Sequence, residues 1–77
     1  DIAVSLSNLA TSYLVQGKYS EAESLFKRAL GICEKSLGKE HPGVAIALEN
    51  LADFYEETGK KEKAKELSER ARKIRSE

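Results

Sequence analysis

The chain repeats itself at a fixed interval. Displaced by 42 residues, Asn8-Leu9-Ala10, Tyr13 and Gly17-Lys18 fall on Asn50-Leu51-Ala52, Tyr55 and Gly59-Lys60. Ala22, Leu25, Arg28, Ala29 and Ile32 fall in the same way on Ala64, Leu67, Arg70, Ala71 and Ile74. With Ala3/Ala45 and Leu6/Leu48, 13 of the 35 positions compared (1–35 against 43–77) are identical. Unrelated stretches of ordinary composition would agree at about two or three. A period of this size belongs to chains that stack one supersecondary unit on the next, each covering an apolar face its neighbour cannot bury alone. Such stacks work through the surface they create, not through a catalytic pocket.

The spacing inside each unit is helical. Ile2, Leu6, Leu9, Ala10 and Tyr13 recur three and four apart, marking one face of a first helix. Gly17 is its expected left-handed stop. Ser20 and Glu23 have the S-x-x-E form of a capping box, which predicts a second helix starting at Ser20. Its stripe runs through Ala22, Leu25, Phe26, Ala29, Leu30, Ile32 and Cys33 towards Leu37, and Gly38 ends it. Lys39–Gly43 is the expected connector, with Pro42 suited to a first helical turn, where its missing N–H has no partner to lose. Val44, Leu48, Leu51, Ala52 and Tyr55 mark a third helix that stops at Gly59; Ala64, Leu67, Ala71 and Ile74 mark a fourth. Connectors this short make each helix antiparallel to the one before. No stretch alternates as a strand would. The expected fold is all-α, two tandem helix-turn-helix hairpins: residues 1–42 with the connector, then 43–77 with a capping-like last helix.

Composition bounds the rest. Seventy-seven residues make one small domain, near the size at which a single core supplies only about 3–5 kcal/mol. Thirteen basic side chains balance thirteen acidic ones, which argues against non-specific nucleic-acid or anionic-membrane binding. No apolar run approaches the ~20 residues of a membrane span, and nothing resembles a signal peptide. The absence of Met predicts that the chain is part of a longer one. Cys33 is the sole cysteine; a lone thiol makes no internal disulfide and suits a reducing, cytoplasmic compartment.

Leu6, Leu9, Ala10, Tyr13, Gly17, Ala22, Phe26 and Ala29, with Leu48, Leu51, Ala52, Tyr55, Gly59, Ala64 and Ala71, resemble the signature of tetratricopeptide repeats. The resemblance covers essentially the whole chain. The common form of that repeat has 34 residues; the period here is longer, with a Leu37-Gly38-Lys39-Glu40-His41-Pro42 link, and is similar to the repeats of kinesin light chains. The resemblance implies a fragment of a right-handed α-solenoid that binds protein or peptide. Its small positions have a physical reason. Ala10, Ala22, Ala29, Ala52, Ala64 and Ala71 stand where two helices must cross closely.

Residues that could carry chemistry have plainer readings. His41 is a single imidazole in a turn, whereas structural zinc needs about four ligands; it reads as a helix cap. Cys33 on an apolar stripe reads as a small hydrophobe, with no base at a spacing that suggests activation. Gly17-Lys18 and Gly59-Lys60 lack the rest of a phosphate loop and read as helix stops. Glu66/Arg70 and Glu69/Lys73 are i,i+4 pairs on a solvated face. No catalytic residue, metal site or cofactor follows, so the chain is expected not to be an enzyme.

In the resembled family the first helix of each repeat lines the concave side. Steps of 100° point Val4, Asn8, Thr11 and Val15 outward on the first helix, flanked by Ser7 and Leu14. On the third they point Ile46, Asn50, Asp53 and Glu57 outward, flanked by Glu49 and Glu56. The candidate peptide-binding residues are therefore Asn8, Thr11, Asn50, Asp53, Glu57 and Glu49. Asn8 and Asn50 occupy positions where the resemblance implies an asparagine bonded to a peptide backbone, since an amide offers donor and acceptor together. An ordinary exposed polar residue is the other reading. The third helix has four carboxylates and no cation, and the first has neither Lys nor Arg. A groove of these faces should favour basic or neutral apolar segments, because like charges across an interface are penalised. An acidic-cargo specificity is therefore not carried over from kinesin light chains.

The two ends differ. Phe26, Leu30, Gly31 and Cys33 become Ser68, Arg72, Lys73 and Arg75, giving the last helix the polar outer face of a cap. Asp1–Val4 aligns with Gly43–Ile46 and shows no such change, so further repeats are expected upstream. Two rival readings remain: self-association through that uncapped N-terminal face, giving a homo-oligomer, and a regulatory repeat segment of a larger enzyme.

Overall fold

The computed structural model describes residues 2–76; Asp1 and Glu77, the outer bounds of the two expected units, lie outside the described residues. Four helices follow in order: α1 (Ile2–Val15), α2 (Tyr19–Leu37), α3 (Pro42–Glu57) and α4 (Lys61–Ser76). No strand occurs among the described residues. The closest packing is α1 on α2 and α3 on α4; α3 also seats firmly on α2, whereas α1 and α3 only graze each other. The Cα envelope of 36 × 28 × 12 Å is thin, as two helices stacked about 8–10 Å apart would be.

The repeated Tyr-x-x-x-Gly-Lys is a turn made twice. Gly17 has φ 82° and Gly59 φ 86°, a backbone shape costly for any residue with a Cβ. This lets the Lys18 N–H reach the Tyr13 carbonyl (2.9 Å) while the Gly17 N–H reaches Leu14 (3.0 Å). Lys60 to Tyr55 (2.8 Å) and Gly59 to Glu56 (3.3 Å) repeat the pattern, closing carbonyls that a helix end leaves open. Each lysine then lies over the tyrosine ring it caps, at 5.5 Å for Lys18 and 5.9 Å for Lys60.

The α2 start differs from expectation. The helix begins at Tyr19, its N-cap is Lys18, and no side chain caps it. Because the preceding turn already aims the Lys18 carbonyl at the Ala22 N–H (3.0 Å), a Ser20 cap has nothing to do. Glu23 is used elsewhere: its Oε2 accepts from the Tyr55 hydroxyl of α3 at 2.7 Å and pairs with Lys27 at 3.4 Å. The α3 start follows expectation. His41 is the N-cap, its Nδ1 accepting from the Gly43 N–H at 2.9 Å, and Pro42 opens the helix.

All six crossing alanines are buried. One core cluster joins Ala10, Ala22, Phe26, Leu51, Ala52, Tyr55 and Ala64 across all four helices, and a second gathers Val44, Leu48, Ala71 and Ile74. Leu30 and Leu67 touch both. Fully burying a Leu or Val side chain stabilises a fold by about 1.5–3 kcal/mol, so Val44 and Leu48, both 0% exposed, anchor the second cluster. Phe54, which the repeat pattern hides because it aligns with Ser12, is also buried, 5.7 Å from Phe26 ring to ring. The expected face of α1 is covered less well. Ile2 and Leu9 are exposed, Leu6 and Tyr13 half-buried, and only Ala3 and Ala10 are fully enclosed.

Candidate binding surface

The outward strips of α1 and α3 lie side by side, and two hollows open along them. The first, about 310 Å³, has Val4, Ser7 and Asn8 of α1 on one wall and Ile46 and Asn50 of α3 on the other. Cys33 and Leu37 of α2 form part of its lining. The second, about 200 Å³, is lined by Thr11 and Leu14 of α1, by Asn50, Asp53 and Glu57 of α3, and by the Phe26/Phe54 pair. Asn50 borders both, so the two hollows are neighbours along one path. A larger hollow of about 520 Å³ is lined only by consecutive residues Gly59–Lys63. No second element faces it, so it recruits no convergent groups.

Five of the six candidate residues therefore share this path. Asn8 and Asn50 meet in the first hollow; Thr11, Asn50, Asp53 and Glu57 meet in the second. Glu49 lies outside both. It turns towards α4, where its Oε1 accepts from Arg75 at 2.7 Å. The Thr11 hydroxyl donates to the Ser7 carbonyl at 3.0 Å, so it presents lone pairs to an incoming group. The walls are apolar at the Val4/Ile46 end, where both side chains are more than half exposed, and carboxylate-bearing at the Asp53/Glu57 end. Cys33, Leu37, Phe26 and Phe54 line these hollows without having been among the candidates. Their signal in the sequence was apolarity alone, which is shared with every core position.

Among the described residues no group of three or more His, Cys, Asp or Glu could hold a metal ion. No helix of the described residues is long and apolar enough to cross a membrane.

The tetratricopeptide repeat model matches residues 1–77, and the chain belongs to that family. The fold is similar to that of a crystal structure of nearly identical tetratricopeptide-like repeats of a kinesin light chain from Podosopora anserina. The TM-score is 0.84 with 32% identity, over 96% of this chain and 35% of that one. This chain thus spans about a third of that structure's length. No curated protein sequence matches significantly. Repeats of this family generally mediate protein–protein interaction and are generally non-catalytic scaffolds.

Proposed function

We propose that the α1/α3 path seats an extended segment of a partner protein, without catalysis, in a reducing compartment such as the cytoplasm. Residues 1–42 and 43–77 act as its two repeat units. Asn8 and Asn50 hold the peptide backbone, Val4 and Ile46 take apolar side chains, and Asp53 and Glu57 favour a basic residue near Thr11. The observation that carries this reading is the convergence of Asn8 and Asn50 from different repeats on one hollow. Equivalent amides offer the same donor and acceptor pair twice, as a repeating backbone requires. Glu49, engaged by Arg75, contributes less than the sequence suggests.

A peptide array read at low and moderate salt tests it. Basic peptides should bind best, and screening should weaken them, since exposed pairs are worth about 0–1 kcal/mol each. Asn8→Ala with Asn50→Ala should reduce affinity about tenfold or more, from two hydrogen bonds of about 0.5–1.5 kcal/mol. Asp53→Lys with Glu57→Lys should move the preference to acidic peptides. A wild type that prefers acidic peptides, or asparagine variants that bind normally, would sink the reading. The exposed Ile2, Val4, Leu9 and Val15 of α1 support a second reading, self-association through that helix. Sedimentation that shows salt-insensitive dimers, abolished by Leu9→Asp, would favour it.

A further inference from the structure

The net charge of zero hides a segregation. Helix α3 carries Glu49, Asp53, Glu56 and Glu57 with no cation, whereas α4 carries seven basic side chains against three acidic ones. At one edge of the molecule the two meet as strips. Glu49, Asp53 and Glu56, spaced four and three, run along α3. Lys61, Lys65, Ser68, Arg72 and Arg75, spaced four, three, four and three, run along α4 with no acidic member. The Arg75–Glu49 pair at 2.7 Å shows that the strips adjoin. Among the described residues Lys61, Lys65 and Arg72 form no ion pair.

The same register in the first repeat is a docking face. Its Glu23, Phe26, Leu30 and Cys33, the counterparts of Lys65, Ser68, Arg72 and Arg75, meet α3 through the Tyr55 hydroxyl, the Phe54 ring and both core clusters. On α4 the four positions are exposed and polar. An edge with an acidic strip beside a basic one suits a partner with the reverse arrangement, and a two-fold axis along the edge supplies it from the chain itself. We propose that the α3–α4 edge pairs with the same edge of a second copy, the α4 cations of each lying over the α3 carboxylates of the other. In such an interface the same patch serves both subunits. A head-to-tail copy would instead set the uncharged α1 on the cations. The pairing is weak and salt-sensitive, since every contact is an exposed ion pair.

Sedimentation equilibrium of the 77-residue chain tests this, at roughly 100 μM protein and from about 20 to 200 mM salt. Dimerisation should weaken at least tenfold across that range. A variant with Lys65→Glu and Arg72→Glu should be monomeric, as should one with Asp53→Lys and Glu56→Lys. Mixed together the two should form a heterodimer, because each then presents what the other lacks. All four positions are exposed, and circular dichroism of each variant checks that the helices persist. A wild type monomeric at every salt overturns the proposal, and so does a mixture that fails to pair. Dimers that persist at high salt would assign association to the apolar α1. Salt-sensitive capture of a poly-glutamate peptide by a chain that does not self-pair would replace the second copy with an acidic partner.

Discussion

Leu9 and Leu51 are the same residue at the same repeat position, yet Leu9 is 46% exposed and Leu51 3%. The contrast holds along both helices. Ile2 is 69% exposed and its counterpart Val44 is 0%; Leu6 and Tyr13 are half-buried while Leu48 and Tyr55 are buried. Local spacing gave both helices the same apolar stripe, Ile2, Leu6, Leu9, Ala10 and Tyr13 against Val44, Leu48, Leu51, Ala52 and Tyr55. The difference lies in the neighbours, because α3 is held between α2 and α4 whereas α1 packs closely only on α2. One motif is therefore worth different amounts in its two copies. In a stack, stability resides in the junctions between units as much as within them.

The largest effect should come from emptying the junction. Leu51→Ala is expected to cost about 2–4 kcal/mol in urea unfolding, as large-to-small changes in enclosed cores do. Leu9→Ala should cost under about 1 kcal/mol, because a half-exposed side chain has less burial to lose. Equal losses would mean that burial at this position does not depend on the neighbouring repeat.

Within a hairpin the two copies should behave alike. Ala10 is 0% and Ala52 3% exposed, each at the crossing inside its own hairpin. Ala10→Leu and Ala52→Leu should each destabilise by about 1–3 kcal/mol through overpacking. A benign Ala10→Leu would show that α1 is loose enough to shift, which sharpens the comparison.

The subtlest contrast is between the tyrosines. The Tyr55 hydroxyl donates to Glu23 across the junction at 2.7 Å, while among the described residues Tyr13 has no hydroxyl partner. Tyr55→Phe should cost about 1–2 kcal/mol, towards the range for hydrogen bonds to charged groups, and Tyr13→Phe little. The pair also predicts a pH dependence. Burial, with the bond to Glu23, pushes the Tyr55 hydroxyl from 10.0 up to about 12. The folded state thus holds this proton more tightly than the unfolded state does. The contribution is whole below pH 10 and is lost as the pH rises towards 12. At the acid end, the Tyr55 hydrogen bond holds the Glu23 carboxyl below its ordinary 4.5; burial opposes this and Lys27 assists. That contribution is present above pH 4.5 and disappears as the pH falls through the lowered value. Chemical unfolding of wild type and Tyr55→Phe across both windows checks the assignment. The variant should lose the tyrosine-linked alkaline decline and show a weaker acid one, whereas unchanged slopes would detach them from this bond.

Local rules carried most of the fold into the sequence. The three-and-four spacing set the four helices, Gly17 and Gly59 set the turns by the positive φ that glycine tolerates, and His41-Pro42 set the start of α3. The alanines were readable as crossings because a close approach excludes larger side chains at both copies. The capping box was misread for a reason. Ser20 and Glu23 satisfy a local rule, but the Gly17-Lys18 turn had already met the need for it, and Glu23 had a better use in a hydroxyl 32 residues away.

The candidate surface was partly readable in the same terms. A 100° step tells which side chains point away from a packed face, so Asn8, Thr11, Asn50, Asp53 and Glu57 could be nominated together. It does not tell which hollow they border, or that Glu49 would be drawn to Arg75. The sequence by itself determined period, helices, turns and the outward strips, since these depend on contacts within a few residues. The tertiary structure alone decided that Leu51 is buried and Leu9 is not, that Phe26 meets Phe54, and that acidic and basic strips share an edge. Each of those depends on which helix lies alongside, and no residue carries that information about a neighbour so distant in the chain.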